Sequence, residues 1–154
     1  MQPELIIMCG LARSGKSTWI KKNKINQVVV SPDEIRHTIF NHQFFDPAEE
    51  MIWALSRIFA RLLLQQGFSV IVDACSLNPE SRRKWLMLKK HLDIKCKVVW
   101  VDTPLDKCLE NNENPLDNRR VPIETLTSMD RYFIPPEQGE SYYDFELIIV
   151  DNDS

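Results

Sequence analysis

The sequence predicts an α/β domain, with a parallel sheet of about five strands, helices on both faces and a helical lid. Three observations carry that expectation. Apolar, β-rich runs alternate with longer amphipathic ones along the chain. The runs are almost continuously apolar, as strands covered on both faces must be, instead of alternating as a half-exposed sheet would. A glycine-containing turn, Gly10 to Ser17, joins the first apolar run to the first amphipathic one.

Taken in order, Glu4 to Cys9 reads as the first strand and Ser17 to about Lys24 as a helix. Val28 to Val30 is a short second strand, ended by Ser31-Pro32. Asp33 to Phe40 follows as a helix, with the proline suited to its first turn. Asp46-Pro47-Ala48-Glu49-Glu50 supplies a cap, an early proline and first-turn acids. Ile52, Leu55, Ile58, Phe59, Leu62 and Leu63 then keep helical spacing until Gly67. Ser69 to Asp73 is a buried strand with an acid at its end. Pro79 to His91, Pro104 to about Glu113 and Pro122 to about Tyr132 are helices, and Cys96 to Val101 and Phe145 to Val150 are strands. Two irregular stretches stand out, Asn111 to Arg120 and Pro135 to Tyr143; either could be a mobile loop, and the first sits where a lid of about residues 111–121 would be useful.

Bulk properties narrow the function classes. At 154 residues and 18.0 kDa, residues 1–154 are expected to form one domain. No apolar run approaches the roughly 20 residues of a membrane span. Without a signal-peptide pattern, a cytoplasmic location is expected. Cys9, Cys75, Cys96 and Cys108 are scattered, without a C-x-x-C pair or neighbouring histidines, so no structural metal or disulfide framework is expected. His37, His42 and His91 show no metal or triad spacing, and Trp53, Trp85 and Trp100 are expected to pack in the core. A formal charge of −3 argues against broad coating of nucleic acid, though not against a local basic pocket.

The turn Gly10-Leu11-Ala12-Arg13-Ser14-Gly15-Lys16-Ser17 meets the phosphate-loop pattern G-x-x-x-x-G-K-[ST], after a strand and before a helix. Successive backbone N–H groups there would curl around the phosphates of ATP, aided by the helix N-terminus. Lys16 would reach the β- and γ-oxygens and Ser17 would ligate Mg²⁺. These eight residues and Thr18 form the expected nucleotide site, with Thr18 and Trp19 serving mainly as first-turn residues. Arg13 either projects toward the γ-phosphate or the acceptor or lies on the surface, and the surface is preferred.

The acceptor side is read from Ser31-Pro32-Asp33-Glu34-Ile35-Arg36. Residues three apart share a helix face, so Asp33 and Arg36 point the same way. Asp33 would take a proton from an attacking hydroxyl, and Arg36 would bind an anionic group on the same substrate. The plainer alternative is a surface ion pair. Asp73, at the end of a buried strand, would ligate Mg²⁺ through water or orient an active-site arginine, the plainer alternative being a loop-capping carboxylate. Arg119 and Arg120 would close over the triphosphate, the plainer alternative being a solvated basic pair. Arg82-Arg83-Lys84 reads first as a solvated helix face, with Arg82 or Arg83 alternatively guiding an anionic substrate.

With these blocks in view, the sequence resembles the 5′-kinase domain of phage and bacterial polynucleotide kinases over nearly its whole length. The resemblance rests on Gly10 to Trp19, on Ser31 to Arg36, on Val72-Asp73-Ala74-Cys75-Ser76-Leu77-Asn78-Pro79-Glu80-Ser81-Arg82-Arg83, and on Arg120-Val121-Pro122-Ile123-Glu124-Thr125-Leu126. It implies a P-loop kinase-like fold and γ-phosphate transfer from ATP, with Mg²⁺, to a nucleic-acid 5′-hydroxyl. It further implies Asp33 as general base, Arg36 on the neighbouring acceptor phosphate, Asp73 in support and Arg119 or Arg120 on the donor. Three departures stand out. Arg13 replaces a further glycine usual in that loop, Asn111 stands where an arginine often precedes Asn112, and 154 residues leave no room for the phosphatase or ligase domains often fused to such kinases.

The leading expectation is therefore a polynucleotide 5′-hydroxyl kinase. A kinase for a nucleoside, sugar, antibiotic or other metabolite is the second, and a nucleotide-binding regulatory or toxin-like module the third. DNA versus RNA, ATP versus GTP and oligomeric state are not readable.

Overall fold

The computed structural model describes residues 2–41, 46–114 and 120–152. Five parallel strands, β1 (Glu4–Cys9), β2 (Val28–Val30), β3 (Val70–Val72), β4 (Lys95–Asp102) and β5 (Glu146–Asp151), form one sheet in the order β2-β3-β1-β4-β5. The connections carry α1 (Lys16–Asn23), α2 (Pro32–Phe40), α3 (Asp46–Gln65), α4 (Pro79–Leu86), α5 (Leu105–Asn112) and α6 (Ile123–Tyr132).

Both faces of the sheet are covered, which explains the continuous apolar strands. Leu5, Ile7 and Cys9 of β1 point to one face, where Val70, Val72 and Val98 join Ala60 and Leu64 of α3 and Trp85 of α4. Ile6 and Met8 point to the other, against Ile71, Val99 and Ile20 of α1. Trp53 and Trp100 pack against the first cluster, as expected of core aromatics. A third cluster, built on Leu11, Cys108 and Leu126, ties the phosphate turn to α5 and α6.

The chain runs outward from β1 to β2, returns through β3 and passes beyond β1 to β4 and β5. That reversal makes the C-terminal end of β1 a topological switch point, where such sheets bind ligands. Local capping then aims the neighbouring segments. Ser31 Oγ accepts a hydrogen bond from the Glu34 N–H at 3.2 Å, Pro32 opens α2, and Asp33 and Glu34 stand at its positive end. Asn78 and Ser81 form a reciprocal capping box at the start of α4.

Two expectations are corrected. The helix foreseen to His91 ends at Leu86 and tightens into a 3₁₀ turn over Met87–Lys90, with the Met87 N–H bonded to both Arg83 O and Trp85 O. The stretch from Pro135 to Tyr143 is pinned rather than loose. Ile134 N–H bonds Leu77 O at 2.9 Å, and Glu140 reaches the guanidinium of Arg82. The lid reading of about 111–121 includes residues 115–119, which lie outside those described, with α5 and α6 on either side.

Candidate active site

The turn between β1 and α1 adopts a backbone that few side chains would permit. Gly10 has φ +147°, and an added Cβ would meet Val101 O at 2.8 Å and Ser14 Oγ at 3.0 Å. Gly15 has φ +104°, with Asn152 Nδ2 at 3.0 Å from the position of its Cβ. The Gly10 N–H is held by Cys75 O at 2.9 Å. Leu11 is buried and Ala12 half-buried against the α5–α6 cluster, so these residues face the core with their side chains. Ser17 and Thr18 are exposed in the first turn of α1. Lys16 is almost fully buried and folds back over the turn, its Nζ donating to Gly10 O at 3.1 Å and Leu11 O at 2.7 Å.

A support beneath the turn had no sequence signature. Ser14 O accepts from Thr103 Oγ1 at 2.7 Å and Asn152 Nδ2 at 3.0 Å, and these two side chains lie 3.2 Å apart. Thr103 and Asn152 each follow directly on the end of a strand, β4 and β5. Position past a strand's C-terminal end was the one available signal. Ser14 Oγ, fully buried, finds no hydrogen-bond partner among the described residues.

Arg13 is half-buried. It holds a left-handed backbone, φ +68°, and its Nη2 donates to Asn111 O at 2.9 Å while Asn111 Nδ2 donates to Arg13 O at 3.0 Å. The two positions that depart from the resembled family are thus paired with each other, clamping the phosphate turn to the end of α5.

On the acceptor side, β2 and β3 end together, Val30 beside Val72, so α2 starts at the same edge of the sheet as the turn. Asp33 and Arg36 do share a face. Arg36 Nη1 lies 2.9 Å from Asp33 Oδ1, with the carboxylate side chain 57% exposed. What sequence reasoning missed is Glu49 of α3, whose two oxygens take Arg36 Nε and Nη2 at 2.7 Å each. Those hydrogen bonds are the main cause raising the Arg36 pKa, and the charges of Glu49 and Asp33 add to it.

Asp73 stands one residue past β3, half-buried, with its N–H donating to Val30 O at 2.9 Å. From there the chain bends through Cys75, which holds the Gly10 N–H, and Ser76, which has φ +50°. Ser17, with an exposed hydroxyl, lies in the helix that follows β1, and Asp73 directly follows the neighbouring β3; both offer only oxygen donors. That chemistry suits Mg²⁺, which prefers few protein oxygens and keeps several waters.

Of the lid arginines, Arg119 lies outside the described residues. Arg120 is exposed and pairs with the equally exposed Glu113 at 2.9 Å. The solvated reading of Arg82 is overturned, whereas Arg83 and Lys84 are exposed as expected. Arg82 is fully buried because α4 turns it inward beneath the 73–76 bend. There it meets Glu140 at 2.6 Å, Ser76 O at 2.8 Å, Ile134 O at 2.9 Å and the Cys9 sulfur at 3.8 Å. Burial pushes the Cys9 thiol up to about 12 despite Arg82 and Lys16 nearby.

Among the described residues, no helix is long and apolar enough to cross a membrane. Residues 5–136 match the AAA_33 family, described as an AAA domain. The L-seryl-tRNA(Sec) kinase of Methanococcus maripaludis is 28% identical over 96% of this chain, which spans 58% of that protein's length. In fold, a chain of the Pnkp1/Rnl/Hen1 RNA repair complex superposes with a TM-score of 0.69 at 21% identity, covering 93% of this chain and 52% of that one. Chaetomium thermophilum Kti12 in complex with ADP-AlF3 gives a TM-score of 0.74 at 18% identity, over 96% of this chain and 88% of that one.

Proposed function

The chain belongs to the AAA_33 family, and from that premise we propose that it is an ATP-dependent phosphotransferase whose acceptor is a hydroxyl, foremost the 5′-hydroxyl end of a polynucleotide. The observation that carries the reading is the placement of Asp33 and Arg36 at the end of β2, on the same sheet edge as the phosphate turn. The seryl-tRNA kinase and the RNA repair complex, by their names, also concern RNA-borne groups.

ATP with Mg²⁺ supplies the transferable phosphoryl group when bound. The chain's own part is to hold and orient. Backbone N–H groups of the turn other than those of Gly10 and Ser14, which bond Cys75 O and Leu11 O, would cradle the phosphates, and Lys16 Nζ, which bonds Gly10 O and Leu11 O, would supply a cation to phosphate oxygens. Ser17 and Asp73 would hold the metal. Asp33 Oδ accepts the proton of the acceptor hydroxyl, a role worth about 10²–10⁴-fold. Arg36 positions the acceptor through an anionic neighbour of that hydroxyl, and Arg119 or Arg120 would meet charge on the donor.

One observation favours a second reading. Two carboxylates already neutralise Arg36, which suits a hydroxyl without an adjacent phosphate, as on a small metabolite or an aminoacyl group. A panel of labelled-ATP transfers decides between the two, with 5′-hydroxyl oligonucleotides, 3′-nucleoside monophosphates, nucleosides, sugars and seryl-tRNA as acceptors. The leading reading expects label on the oligonucleotide and the 3′-monophosphate. Label confined to sugars, nucleosides or seryl-tRNA supports the second, and label on none overturns both.

A further inference from the structure

The residues of α3 divide into two faces. Ile52, Ser56, Ala60 and Leu64 are buried toward the sheet. Met51, Leu55, Ile58, Phe59 and Leu62 stand on the other side, each 40–50% exposed. Their spacing places them in one stripe along a helix of 20 residues, roughly 30 Å long. An ordinary surface helix turns mostly polar side chains outward, whereas this one also presents a line of large apolar ones.

The size of the stripe suits one kind of occupant. Half-exposed side chains of this bulk present about 80–90 Å² each, or about 400 Å² together, a patch large enough to mark an interaction face. A standard interface buries about 800 Å² per partner, of which a little more than half is apolar. The stripe therefore provides the apolar centre of such an interface, with the flanking polar residues as its rim.

The charges say what the partner is. Asp46, Glu49 and Glu50 lie at the start of α3, and Arg57 and Arg61 in its second half. Exposed Glu50 and Arg61 are about three turns apart and so occupy the same flank of the stripe. Neither enters a salt bridge among the described residues. Antiparallel two-fold pairing of α3 with a second α3 would set Glu50 of each copy against Arg61 of the other along that flank and oppose the two helix dipoles, whereas parallel two-fold pairing would carry the charged flanks to opposite sides and align the dipoles.

We propose that a second copy of this chain covers the stripe, in a two-fold dimer with the α3 helices antiparallel. The inference is independent of the acceptor's identity. It has a consequence for the site, because Glu49 in the first turn of α3 also holds Arg36. The dimer face therefore borders the acceptor side in both copies.

Sedimentation equilibrium over a dilution series tests the proposal. The wild type is expected to dimerise. Ile58→Glu with Leu55→Glu is expected to be monomeric while keeping its circular dichroism spectrum. Glu50→Arg and Arg61→Glu are each expected to weaken the dimer about tenfold, since each spoils two symmetric pairs, and the double exchange is expected to restore it. A wild type that stays monomeric throughout overturns the proposal, as does a dimer indifferent to Ile58→Glu with Leu55→Glu. Failure of the double exchange to restore what the single ones lose overturns the antiparallel arrangement.

Discussion

Glu49 grips Arg36 through both carboxylate oxygens at 2.7 Å, while the remaining guanidinium nitrogen of Arg36 reaches Asp33 at 2.9 Å. A bidentate hold of this kind fixes the plane of the guanidinium as well as its position. The proposed base and the proposed acceptor anchor are therefore set by a third residue on a different helix.

Glu49→Gln should loosen that hold. The expected outcome is a fall of about tenfold in kcat/KM for the acceptor, equivalent to about 1.4 kcal/mol, with the KM for ATP unchanged. Steady-state kinetics with either substrate varied would check it, and an equal change in both KM values would count against a role confined to the acceptor.

Gly10→Ala should damage nucleotide binding, because its Cβ would stand 2.8 Å from Val101 O in a backbone region side chains avoid. At 100 times the dissociation constant, ATP should stabilise the wild type by about 2.7 kcal/mol, a rise in Tm of several degrees. The variant should show a lower Tm and almost no ATP-dependent rise in a thermal shift assay.

The buried Arg82–Glu140 pair ties the 73–76 bend to the segment before β5. Glu140→Leu leaves a buried cation unpaired and should cost about 3–5 kcal/mol, read as a lower urea midpoint. Adding Arg82→Met should recover part of that loss. A double variant worse than the single one would show that Arg82's bonds to Ser76 O and Ile134 O dominate.

Stability should fall at high pH. Burial holds the Cys9 thiol up at about 12 and those of Cys96 and Cys108 at about 11. Unfolded thiols ionise near about 8.5, so folding favours the neutral form. That contribution is complete below about pH 8.5 and is lost as pH rises toward the folded values. Each thiol costs about 1.4 kcal/mol per pH unit in that window. Urea midpoints should be level from about pH 7 to 8 and drop above about 9, with a shallower drop in Cys96→Ala.

The fold was legible because each strand is buried on both faces and reads as an unbroken apolar run, and because the phosphate turn has a demanding local backbone. Asp33 and Arg36 were legible for the same reason, since their pairing depends on helical spacing alone. Glu49, Thr103, Asn152 and Glu140 were not. Each acts through a contact between segments far apart in sequence, and such partners carry no periodic mark. Arg82 misled because Arg82-Arg83-Lys84 looks uniformly solvated, although one residue in such a run can turn inward on a helix. Arg13 and Asn111 were each noticed as unusual, but only the fold shows that they answer one another.

Single-turnover transfer from γ-labelled ATP to a 5′-hydroxyl oligonucleotide, by the wild type and by Asp33→Asn, tests the central claim most directly. The account predicts a labelled 5′ end with the wild type and a rate at least about 10²-fold lower with Asp33→Asn, at unchanged ATP binding. An Asp33→Asn protein that transfers at the wild-type rate, or a wild type that binds ATP yet labels no hydroxyl, would contradict it.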